Sequence, residues 1–190
     1  RVLHPSPKQI RSFSIAAAAL FAGAILTAFN HNWGARLSGL AMLALSLWFL
    51  KNDLATRNLR HKIPLTRYIA ICLFSGFIWL GISGVINLCF GALYAGPSYD
   101  AALHAVFVGF VISMIFGHAP IIFPAILGVP VTFYPAFFGH LILLHLSLTL
   151  RVIGDLTNLF TVRKWGGLLN EVAILLFLSV TIYSIVKSRN

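Results

Sequence analysis

Charge is what this sequence has least of. Only 9% of its 190 residues are charged, against about 25% in an ordinary soluble domain. A water-soluble fold would have too little polar surface to cover its core, so that class is excluded. Acidic residues are scarcest: Asp53, Asp100, Asp155 and Glu171, against 14 Lys and Arg. The net charge of +10 does not form one basic patch. The basic residues stand in short segments between apolar runs, as membrane proteins place them, so no nucleic-acid partner is expected.

Cysteine is nearly absent too. Cys72 and Cys89 share one apolar run, and seventeen helical residues turn through about 260°, so the two face different ways. Neither a disulfide nor a cysteine metal site is expected; small buried thiols fit better. There is no Gly-rich phosphate loop, no zinc pattern and no nucleophile elbow. The basic start followed by apolar residues 13–29 imitates a signal peptide, but no convincing cleavage site follows.

What is present is apolar sequence, 59% of the chain, in six runs at about 13–29, 35–50, 68–94, 101–123, 132–150 and 165–186. About 20 residues of helix cross the hydrocarbon core. The expectation is an all-α integral membrane bundle of about six transmembrane helices, one domain over 1–190. The second run is short, so the first two could also form a re-entrant hairpin; the third is long enough to tilt. Ten of the 14 basic residues fall on the side of the termini, five of them (Lys51, Arg57, Arg60, Lys62, Arg67) between the second and third runs. Arg36, Arg151, Arg163 and Lys164 fall on the other. Positive loops stay inside, which puts both termini in the cytoplasm. Gly76, Gly81 and Gly84, with Ser75 and Ser83, suit close helix packing in lipid; Asn87 is expected to bond a neighbouring helix.

The histidines carry the functional signal. His4, His31 and His61 fall in loops or a terminus. His104, His118, His140 and His145 fall inside the fourth and fifth runs, where ionisable side chains are rare and usually functional. His104 and His118 are fourteen residues apart, which places them on one helix face but about 21 Å apart along the axis. His140 and His145 differ by about 140° and ~7.5 Å, a poor spacing for one ion. Antiparallel packing of the two helices sorts the four by depth into His104 with His145, nearer the outer face, and His118 with His140, nearer the inner. Each pair is mismatched by about 6 Å, which a kink near Pro120 could absorb.

Neutral imidazoles between apolar helices suit haem, whose iron takes axial histidine. Arg151, about 9 Å beyond His145, could meet its propionates or act only as an interfacial anchor. A copper site of three histidines is the second possibility. A proton path is the third, though only Glu171 would add a carboxylate. Asp100 is read as capping the fourth helix.

The stretch "LHAVFVGFVISMIFGHAPIIFPAILG", residues 103–128, resembles the second helix of haem–copper oxidase subunit I and the histidine-bearing helices of the NnrS family; a looser likeness runs on to about residue 155 through "HLILLHLSLTLRVIGD". The resemblance implies that His104 is the axial ligand of a low-spin haem b near the outer leaflet. It does not extend to an oxygen-reducing site: six spans are half of an oxidase core, and no adjacent histidine pair of the copper-binding sort is present.

The expected function is a membrane haem-b protein, holding one or two haems with copper possible. It would carry electrons or handle a gaseous ligand such as NO or O2, as an oxidoreductase component working with other membrane or redox subunits in a prokaryotic inner membrane. Two alternatives stand beside it. One is a cofactor-free anchor or scaffold subunit whose histidines make interhelical hydrogen bonds. The other is a small transporter with a histidine-lined path.

Overall fold

The computed structural model describes residues 5–128 and 132–189. The fold is all-α, with six helices between 20 and 30 residues long that are apolar enough to cross a membrane. At about 1.5 Å per residue even the shortest reaches roughly 30 Å, the thickness of the hydrocarbon core.

The chain begins with α1 (Pro7–Phe29), started by a capping box in which Ser6 and Gln9 bond each other's backbone and so satisfy two of the helix's free N–H groups. Asn30 alone connects it to α2 (His31–Asn52). It ends α1 with its own N–H on Leu26 and starts α2 by accepting from the Trp33 N–H through its side chain. The second span is therefore longer than the sequence suggested. Trp33, Gly34 and Arg36 thin the apolar pattern of its first turns without breaking the helix. At 23 and 22 residues both helices have full span length, which argues against a re-entrant hairpin. His31, expected in a loop, is the first residue of α2.

A short α3 (Leu54–Asn58), capped by Asp53, leads to α4 (Pro64–Phe90). The fourth span is composite. α5 (Pro97–His104) passes into a π-helical stretch over Ala105–Val111 and then into α6 (Ile112–Leu127). The kink expected at Pro120 is not where the regular helix changes: α6 runs through Pro120 and Pro124, and the irregularity lies upstream. Asp100 does not cap this span, since Gly96 holds the cap position without a side-chain bond. α7 (Phe137–Leu156) and α8 (Phe160–Arg189) complete the bundle. The α7–α8 turn closes as a Schellman motif. The Leu159 N–H bonds the Gly154 carbonyl, the Asn158 N–H bonds Asp155, and Asn158 takes φ 56°; the short polar side chain of Asn tolerates this left-handed position.

Sequential spans are spatial neighbours. The α1–α2 hairpin packs on α4 through α2. The fourth span packs on α4 and α7, and α8 packs chiefly on α7. The α2–α4 crossing depends on Gly39 and Gly84. A Cβ on either would stand 2.7 Å from the other's carbonyl oxygen, so the two backbones touch, as small residues allow in lipid. Ser46 donates to the Phe77 carbonyl at 2.6 Å across the same contact. Cys72 is buried and Cys89 exposed: the two face different ways, as their spacing predicted, but only Cys72 is the buried thiol expected of both.

Candidate functional site

The four histidines of the fourth and fifth spans go to four different surroundings. His140 is almost wholly buried, 1% exposed. Phe116, Phe137 and Phe177 stand edge-on around it, with centroids 4.7, 5.7 and 5.3 Å away. Its Nε2 lies 3.0 Å from the Tyr68 hydroxyl on α4, and its Nδ1 has no partner. This cluster forms the core at the end of the bundle where the chain termini lie.

His145 is nearer the middle of α7. The Trp79 indole N–H donates to its Nδ1 at 3.0 Å. The indole fits there because Gly109, within the π-helical stretch, has no Cβ to collide with it. Such π turns inside α-helices often mark functional positions. Here the glycine within it makes room for the aromatic that holds His145. The hydrogen bond also fixes the tautomer. Indole is a donor only, so Nδ1 must offer its lone pair and a neutral ring carries its proton on Nε2. That nitrogen is buried without a partner. Beside the pair, α4 and α7 leave a cleft of about 470 Å³ lined by Ser75, Ile78, Trp79, Ile82, His145, Thr149, Val152 and Ile153.

His104 and His118 are in the opposite state. Each Nδ1 lies 2.7 Å from the carbonyl one turn back on its own helix, Asp100 for His104 and Met114 for His118. A carbonyl only accepts, so both rings donate from Nδ1 and keep the Nε2 lone pair, the usual form of a metal-ligating histidine. His104 is half-buried and His118 is exposed; the common face predicted from their spacing is not kept. His118 also turns away from His140, because Phe116, which meets His140, lies about 200° around the helix from it.

Neither predicted pair therefore becomes a two-ligand site. The fourth span contributes no residue to the cleft at His145, and His118 is on the exposed face. Within the chain the donor set does not fit bis-histidine haem. His145 holds its proton on the nitrogen that would ligate, His140 faces Tyr68, and the two rings free to ligate lie about 21 Å apart on one helix. Among the described residues no group of three or more His, Cys, Asp or Glu is placed to hold a metal ion. What does fit is a single imidazole ligand, His104.

Arg151 is committed elsewhere. Its Nε meets Asp155 Oδ2 at 3.0 Å and its Nη2 lies 3.5 Å from Asp100. Arg163 meets Asp155 Oδ1 at 2.9 Å and also pairs with Asp100. These four side chains tie the start of the fourth span to the α7–α8 hairpin at the end of the bundle away from the termini. Asp155, 0% exposed, was missed by sequence reasoning; its position four residues after Arg151, where helix side chains meet, was the available signal. Tyr68 and Trp79 were missed as well, since only the tertiary fold brings them to the histidines. Of the remaining candidates, His61 accepts from the Ile63 N–H, Glu171 is exposed, and His4 lies outside the described residues.

Fold and site together define an integral membrane protein of six spans, stitched by buried polar contacts. No curated protein and no solved structure matches the chain. It belongs to the family described as Domain of unknown function (DUF8744), whose model matches residues 1–186.

Proposed function

We propose that the protein is a membrane anchor or scaffold subunit that holds no haem or metal of its own. One observation carries this reading: the buried imidazoles are used to join helices. His140 and His145 each reach from α7 to α4, to Tyr68 and Trp79, within a contact otherwise made by apolar side chains such as Phe137 and Phe138 against Tyr68. The same use of polar groups recurs where Ser147 donates to Asn170 across α7–α8 at 2.6 Å and Ser83 to the Ala102 carbonyl across α4–α5 at 3.0 Å. A rigid apolar bundle of this kind suits a subunit that positions others. The respiratory character of that assembly, and the placing of both termini in the cytoplasm, rest on the resemblance of residues 103–128 and on the distribution of basic residues.

A second reading has one observation in its favour. His104 is half-buried and presents an Nε2 lone pair. It could supply one axial ligand to a haem whose other ligand comes from a partner subunit, with electron transfer or NO and O2 handling as the outcome.

An absorption spectrum and metal analysis of the purified, folded protein separate the two. The anchor reading expects no Soret band and no stoichiometric iron or copper, and loss of stability in His145→Leu with little in His104→Ala. A Soret band abolished by His104→Ala would overturn it in favour of haem.

A further inference from the structure

A second cleft, of about 430 Å³, is lined by none of the four span histidines. It is bounded by α1 and α2 on one side and α5 with the first π-helical residues on the other, with α4 as its floor. This size is within the ~300–1,000 Å³ range of small-molecule sites. Its deeper wall is apolar, formed by residues such as Met42, Val106 and Phe107, and no charged side chain lines it. Arg36, which adjoins the lining residues Ala35 and Gly91, is already held by the Leu88 carbonyl and Asn32.

The rim at the end away from the termini is polar but neutral. Asn87 spends its amide N–H on Ser83, which leaves its oxygen as an acceptor. His31 lies with Nε2 3.2 Å from the Leu93 carbonyl, so its Nδ1 keeps a lone pair. It is held flat against Tyr94, with centroids 4.3 Å apart. The Tyr99 and Ser38 hydroxyls line the same space without a hydrogen bond of their own among the described residues. Two hydroxyls and two acceptors therefore line the polar part of the slot, with His31 and Ser38 about two turns apart on α2.

We infer that this cleft binds a membrane quinone or quinol: an uncharged ring carrying carbonyl or hydroxyl oxygens, with one hydrocarbon tail. The absence of cations in the lining disfavours phosphate and carboxylate heads. The neutral rim suits a head that accepts from Tyr99 and Ser38 as a carbonyl, or donates to Asn87 and His31 as a hydroxyl. The volume holds one ring and the start of one tail, and is too small for two acyl chains. Tyr99 and Phe107 offer flat apolar faces to a ring.

The test is equilibrium binding of a tritiated decyl-benzoquinone to the full chain in phosphatidylcholine nanodiscs, with dioctanoylglycerol and phosphatidic acid as competitors. Saturable binding at one site per chain is expected, resisted by neither competitor. Tyr99→Phe should weaken it about fivefold, the effect of one neutral hydrogen bond. Leu103→Trp, which fills the cleft, should abolish it. Thr149→Trp, in the α4–α7 cleft, should leave it unchanged. Tyr99→Phe is conservative and keeps the test valid if the larger substitution misfolds. Non-saturable uptake, equal displacement by either lipid, or binding indifferent to Tyr99→Phe would overturn the assignment. The spectrum that tests the anchor reading is independent of all these outcomes.

Discussion

Replacing Asp155 by Asn should be among the most damaging single-atom changes in the chain. The Asp155 side chain is fully buried, and each of its oxygens faces a different arginine, at 3.0 Å for Arg151 and 2.9 Å for Arg163. Asn keeps the shape and removes the charge. Two guanidiniums then share only Asp100, and the cluster passes from neutral to a net positive charge beside lipid. Breaking a buried pair in this way costs about 3–5 kcal/mol. Arg163 is 30% exposed and can recover some hydration, so the lower end, about 3 kcal/mol, is expected. Asp100 is 31% exposed, and Asp100→Asn should cost no more than about 1 kcal/mol. The difference of roughly 2 kcal/mol is about thirtyfold in the folding constant. Reversible SDS unfolding in mixed micelles, followed by circular dichroism, measures both. Replacing all four charged residues by Leu should recover much of the Asp155→Asn loss, because the desolvation of the ions is removed with them. Equal costs for the two Asn variants would refute the argument, as would a fourfold Leu variant weaker than Asp155→Asn.

Other substitutions probe the helix contacts in the same assay. Trp79→Phe removes the indole donor to His145 and should cost about 1–2 kcal/mol, the upper part of the range for hydrogen bonds between membrane helices; Tyr68→Phe, with a smaller change of volume at His140, should cost about 0.6 kcal/mol. Gly84→Val sets a side chain against the Gly39 backbone and should separate α2 from α4, read as loss of cross-linking between cysteines introduced on those helices. His118→Ala, on the exposed face, should leave the unfolding midpoint within about 0.5 kcal/mol of the unaltered protein.

The spans were legible because lipid demands long apolar helices, and that demand is written residue by residue. Their ends were less so: α2 starts at His31 because Asn30 caps two helices at once, a role that hydropathy does not reveal. The pairing of histidines depended on rotation, where small irregularities count most. Counting 100° per residue from His104 to His118 assumes an unbroken α-helix. The π-helical stretch over Ala105–Val111 inserts extra residues into the turns, and each one amounts to about 100°. His104 is therefore half-buried while His118 is exposed. Tautomers were illegible for another reason. They are set by Trp79 and by the Asp100 and Met114 carbonyls, two of them close in sequence but one 66 residues away.

The buried polar contacts also follow an order with depth that bears on function. At the end of the bundle holding the termini, His140 joins α7 to Tyr68; near the middle, His145 joins it to Trp79; at the other end, Arg151 joins it to Asp100. In lipid there is little hydrophobic force between helices, so packing and such bonds decide which helices adjoin. α7 carries all three, and each reaches a helix earlier in the chain. A bundle built only for ligand passage would leave these groups facing a common lumen. Here they are spent, at three depths, on fixing one helix against its neighbours, and none of these groups lines the cleft between α2 and α5.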